Sequence, residues 1–100
     1  MKLLIIMASN PYSADYNTLV KLSEASLERG DKLSIFFMAN GEYCLLQPEI
    51  KKLHEKGASI YYCAHNAHQR NVQPESFAES SSMYGLSKLI AQADKVIALT

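Results

Sequence analysis

The chain has 100 residues, 48% of them apolar, and its ten Lys and Arg balance ten Asp and Glu. That length fits a single domain over residues 1–100, able to fill a core while leaving surface for an oligomer. The charge balance removes the footprint expected for nucleic-acid or anionic-membrane binding.

In chain order, Leu3–Met7 is a short, continuously apolar run and predicts a strand. From Ala14 to Arg29, Tyr16, Leu19, Val20 and Leu27 share one helical face with the small Ser23, and Gly30 stops the helix. Leu33–Met38 is the next strand. Pro48–Lys56 then predicts a helix with proline at its first position, Ile50 and Leu53 inward, and Gly57 after its end. Ser59–Cys63 follows as a strand and Ala64–Asn71 as a short helix. Gln73–Ser82, rich in Ser and Glu, reads as a mobile loop. Ser82–Ala93 carries Met83, Leu86, Leu89, Ile90 and Ala93 on one side, and Val96–Leu99 closes the chain as a strand. The near-continuous apolar character of the first and last strands predicts cover on both faces.

Strands alternating with helices predict right-handed βαβ crossovers. The expected fold is a three-layer α/β/α sandwich with a mainly parallel sheet of four or five strands. The run Leu3 to Ala8 is too short for a bilayer span or a signal-peptide core, so a cytoplasmic location is expected.

Ligands of a parallel sheet bind beyond the carboxyl ends of its strands, here Ala8–Ser13, Ala39–Cys44 and Cys63–His68. The first of these loops has no glycine and no Walker lysine follows, which argues against dinucleotide and P-loop sites. Ser9, Asn10 and Ser13 read as helix-capping residues. Glu42 is the lone acidic residue at these ends, too few for a phosphoacceptor cluster, and reads as a solvated side chain. Cys44 and Cys63 form no Cys-x-x-Cys pair, and a reducing cytoplasm disfavours a structural disulfide between them. Cys63, His65 and His68, with Cys44 and His54, offer metal-ligand chemistry, but their spacing matches no zinc signature and no metal is expected.

Cys63 remains as the candidate nucleophile. It ends an apolar strand, and a helix starting at Ala64 would aim its first N–H groups at the sulfur and favour the thiolate. His65, His68 and Arg70 would add positive charge. The residues alone equally allow a buried strand-end cysteine.

Three segments carry a resemblance. Ile35-Phe36-Phe37-Met38-Ala39-Asn40-Gly41 is similar to the second strand and following loop of the DsrE/DsrF-like family. Gly57 to Cys63 with Ala64 to Val72 resembles that family's third strand, cysteine and short helix. Met83 to Leu99 resembles its closing helix and strand. The resemblance implies a parallel α/β fold assembling into trimers or hexamers, or hetero-oligomers with related subunits. It also implies a persulfide carried on Cys63 between sulfur donor and acceptor proteins, with no cofactor required. On topology alone, Asn10, Asn40 and Gly41 are expected to shape the neighbouring loops at the carboxyl edge of the sheet. Cys44, outside the matched pattern, either resolves an oxidised Cys63 or packs beneath the Glu42–Leu46 turn. Where the family often has Arg-Gly, this chain has Arg70-Asn71, and asparagine tolerates the left-handed turn. The alternative is a non-catalytic oligomeric module binding a small ligand or partner at the same edge, with Tyr12, Tyr43, Tyr61 and Tyr62 as its surface.

Overall fold

The computed structural model describes residues 1–100. Its strands are β1 (Lys2–Met7), β2 (Lys32–Phe37), β3 (Ser59–Cys63), β4 (Ala78–Ser81) and β5 (Lys95–Leu99). They form one sheet in the order β4-β3-β2-β1-β5, and every pairing is parallel. The helices are α1 (Ala14–Glu28), α2 (Pro48–Glu55), α3 (Ala64–Gln69) and α4 (Met83–Gln92), and a 3-10 helix runs over Ala39–Leu46.

The sheet's two faces follow from the two-residue side-chain period. Leu3, Ile5, Met7, Leu33, Ile35, Phe37 and Ile60 point to one side and meet Leu19, Ile50, Leu53 and Ala67. On the other side, Leu4, Phe36 and Cys63 meet Leu86, with Ile6, Tyr61, Leu89 and Ala93 around them. Thus α1 and α2 cover the first face, while α4 crosses the second alone, touching β1 and β4. Phe36 and Phe37, adjacent in sequence, are each fully buried on opposite faces. Such a side chain contributes about 1.5–3 kcal/mol of apolar burial.

Three expectations need correction. Gln73–Ser82 is not simply a loop, because Ala78–Ser81 pairs with β3 as an edge strand. Its side chains are mostly exposed, so it carries no apolar run; main-chain hydrogen bonding to β3 holds it instead. The last strand is not covered on both faces. Ile97 and Leu99 pack on the larger core, while Val96 and Ala98 are exposed at the edge beside β1. In α1, Leu19, Ser23 and Ser26 form the fully buried stripe, and Val20 is only half-buried. Small serines there let the helix lie close to the sheet.

Candidate functional site

The structure places Cys63 at the junction expected for it. The residue ends β3, and α3 begins at Ala64 with Cys63 as its N-cap. Its backbone is extended (φ −77°, ψ 116°), and its side chain makes no capping hydrogen bond. The expected amide-to-sulfur contact is therefore absent. The residue is 5% exposed and packs with Leu4, Phe36 and Leu86 on the α4 side of the sheet. It also lines a cavity of about 470 Å³ with Met38, His65, Asn66, Ser81 and Ser82. A cavity of that size suits a small ligand or a short peptide segment.

The far wall of this cavity comes from β4 and α4. Ser81 is the register partner of Cys63 across the β3–β4 pair. Ser82 caps α4 by accepting a hydrogen bond from the Gly85 N–H at 3.1 Å. A Cβ on residue 85 would overlap the Ser81 hydroxyl, so glycine lets the first turn of α4 close over the strand end. A second cavity of similar volume lies at the amino ends of the strands, among Lys2, Asp31, Lys32 and Tyr61, and holds no cysteine or histidine.

The other expected residues fall into separate groups. His65 lines the Cys63 cavity, while His68 is exposed on the same short helix. Arg70 does not line that cavity: its guanidinium donates to Asn40 Oδ1 at 3.2 Å and to the Asn66 carbonyl at 3.4 Å. Asn66 Oδ1 in turn accepts from the Ala39 N–H at 2.9 Å. That bond holds Ala39 in a left-handed conformation, φ 50°. Asn71 adopts φ 53°, so asparagine serves where the family often has glycine. Gly41 is buried against β1, and a Cβ there would collide with the Met7 carbonyl. Asn10 is exposed and makes a local turn, its Oδ1 accepting from the Tyr12 N–H at 2.8 Å.

Cys44 lies on the other side of the sheet from Cys63, in the core beneath α1 and α2. It is fully buried, and its thiol donates weakly to the Ser9 carbonyl at 3.5 Å. Burial pushes its thiol up to about 12. Both cysteines are free. The metal-ligand set does not assemble: no three His, Cys, Asp or Glu side chains come together. His54 instead pairs through Nδ1 with the Ala58 carbonyl at 3.0 Å and lies against Phe77.

Glu42 is the residue that sequence reasoning misplaced. It is not a solvated surface side chain but fully buried, and neither carboxyl oxygen has a hydrogen-bond partner. Burial pushes its carboxyl up to about 7, and the nearby Cys63 main-chain N–H and Arg70 guanidinium only partly offset this. One signal pointed there: Glu42 directly precedes an apolar segment, Tyr43-Cys44-Leu45-Leu46, and directly follows the glycine that must touch β1.

An all-parallel sheet with a cysteine at the end of its third strand, facing a cavity between two helix starts, defines a class of small α/β protein. The chain matches the DsrE/DsrF-like family over residues 1–99 and belongs to that family, whose general business is sulfur relay. Among solved structures it resembles the YchN protein of E. coli, with a TM-score of 0.82 and 20% identity over 99% of this chain and 100% of that one. It also resembles BT1422, a conserved protein of unknown function from Bacteroides thetaiotaomicron, with a TM-score of 0.81 and 18% identity over 98% and 94% of the two chains. At such identities these likenesses speak for the fold alone. No curated protein matches the chain.

Proposed function

We propose that this protein is a sulfur carrier in which Cys63 holds a persulfide and passes its outer sulfur to an acceptor protein. The observation that carries this reading is the position of Cys63, at the β3–α3 junction and in the wall of a cavity roomy enough for a donor group. In the first step the Cys63 thiolate attacks the outer sulfur of a persulfide donor. The Sγ–S bond forms as the donor's S–S bond breaks, and the donor leaves as a thiolate. An acceptor thiolate then attacks that same outer sulfur and the Cys63 thiolate is regenerated. The exchange consumes no oxidant or reductant and needs no cofactor.

His65, in the cavity wall, is the side chain placed to meet an anionic donor. Arg70, Asn40 and Asn66 hold the 3-10 helix against α3 and keep the cavity floor in shape. Gly41 sets the close approach of that helix to β1. Asn10 shapes the loop after β1. Cys44, buried on the opposite face and resistant to ionisation, takes no part. His68 is exposed beside the site and free to meet a partner protein.

The thinly covered α4 side suits contact with further copies or related subunits, as a trimer or hexamer. Met83, Tyr84, Ile90 and Val96 are large apolar side chains left exposed along α4 and β5. A reducing cytoplasm suits a working thiol, and no helix is long and apolar enough to cross a membrane.

Incubation with polysulfide, followed by intact-mass measurement, tests the carrier reading. Wild type is expected to gain sulfur and Cys63→Ala to gain none. Equal gain by both proteins contradicts the reading.

A further inference from the structure

We propose that the cavity beside Cys63 is a binding site for a soft monovalent cation, Cu(I), held by Cys63 Sγ, the thioethers of Met38 and Met83, and the His65 imidazole. The site stands apart from the sulfur-carrier reading, because it needs only these donors and no sulfur donor or acceptor.

The donors come from four parts of the chain and meet in one place. Phe37 pairs with Tyr62 across β2 and β3, so the next residues, Met38 and Cys63, stand abreast at the carboxyl ends of these strands. Met38 keeps an extended backbone (φ −145°, ψ 167°). Both side chains pack on the α4 side of the sheet, around Leu4, Phe36 and Leu86. Neighbouring strands lie about 4.8 Å apart, so a thioether and a thiol abreast on one face can reach a common ion. On the other flank of Cys63 stands its register partner Ser81, and two residues further on Met83 opens α4. His65 lies in the first turn of α3. All four donors line the same cavity of about 470 Å³, whose walls hold no carboxylate, lysine or arginine.

The chemistry of the set is selective. Thiolate and thioether sulfurs are soft donors that select Cu(I), and imidazole is compatible with it, whereas calcium and magnesium require carboxylate oxygens. No three His, Cys, Asp or Glu side chains cluster, as expected where two of the four donors are thioethers. Cys63 is 5% exposed and its side chain makes no capping hydrogen bond, while the Cys44 thiol is engaged by the Ser9 carbonyl. Cys63 and Met38 form the inner wall. Met83, 47% exposed, and the exposed His65 form the entry side. The rotatable bonds of Met83 let its sulfur close over an ion without backbone movement. As the Cu–S bond to Cys63 forms, the thiol proton passes to solvent; copper stays Cu(I) and no electron moves.

The test is anaerobic competition for Cu(I) supplied as its bicinchoninate complex, with native mass measurement of the protein. Wild type and Cys44→Ala are expected to take a single copper ion per chain, and Cys63→Ser none. The deciding variant combines Met38→Leu with Met83→Leu, which conserves volume and keeps the thiol. It should hold Cu(I) about tenfold more weakly or worse. Unchanged affinity in that variant means that a lone thiol is the ligand and overturns the proposal, as does copper retained by Cys63→Ser. A second readout needs no variant. On addition of Ag(I), a redox-inert substitute, the methyl resonances of Met38 and Met83 in the wild-type protein should shift together. Methyl resonances that stay fixed while the protein binds silver overturn the proposal. Neither readout uses a sulfur donor, so loss of the carrier reading and loss of this inference are distinguishable.

Discussion

Arg70, just past α3, and Asn40, in the 3-10 helix thirty positions earlier, are joined by a hydrogen bond of 3.2 Å from the guanidinium Nε to Oδ1. With the Ala39–Asn66 bond, it ties the segment after β2 to the helix after β3. The connections beyond two adjacent strands are thereby fixed to one another, and Glu42 is enclosed between them.

Asn66 is the central member of that clamp. Asn66→Ala removes the acceptor of the partly buried Ala39 N–H and frees a residue held at positive φ. The expected loss of stability is about 1–2 kcal/mol, read from urea unfolding. Alkylation of Cys63 should also become faster, since Asn66 forms part of the wall of its cavity.

Glu42 makes a pH-dependent contribution whose sign can be worked out. Its folded-state value, about 7, lies above the ordinary 4.5, so the native state binds more protons than the unfolded state between those values. Wild-type stability therefore falls as pH rises through that window. Glu42→Gln has no such loss. Relative to wild type it should gain about 2–3 kcal/mol between roughly pH 4 and pH 8, measured as the difference in urea unfolding free energy at the two pH values. A difference that does not change with pH would mean that the carboxyl titrates normally.

Cys44 offers a control for the assignment of roles. Cys44→Ala removes a small, fully buried side chain from the core under α1 and α2. The cost should be about 1–2 kcal/mol, seen as a lower denaturation midpoint. Sulfur loading and the alkylation rate of Cys63 should be unchanged, because the sheet separates the two thiols.

Much of the architecture is legible from periodicity. Ser59–Cys63 has the expected bounds, and α1, α2 and α4 lie within a residue of theirs, since apolar faces mark all three helices and glycines stop the first two. What escaped has physical reasons. Strand β4 is Ala78-Glu79-Ser80-Ser81, and an edge strand held by main-chain bonds needs no apolar pattern. Val96 and Ala98 look as apolar as a strand covered by its own helices, because composition does not say which chain covers a face. Glu42 was misplaced because burial of a carboxyl depends on how the 3-10 helix folds over the strand ends, which no local pattern records. The cysteine at the junction was legible; its lack of an amide contact was not, because that depends on the side-chain orientation at the N-cap.

A carrier of this kind needs one sulfur atom, that of Cys63, to accept and release the relayed sulfur. The most direct measurement is peptide mapping of the polysulfide-treated protein after rapid alkylation, before and after exposure to a thiol acceptor. An added sulfur is expected only on the peptide containing Cys63, and it should disappear when the acceptor is supplied. Sulfur found on the Cys44 peptide, or an unmodified Cys63 peptide at full donor excess, would contradict the carrier role.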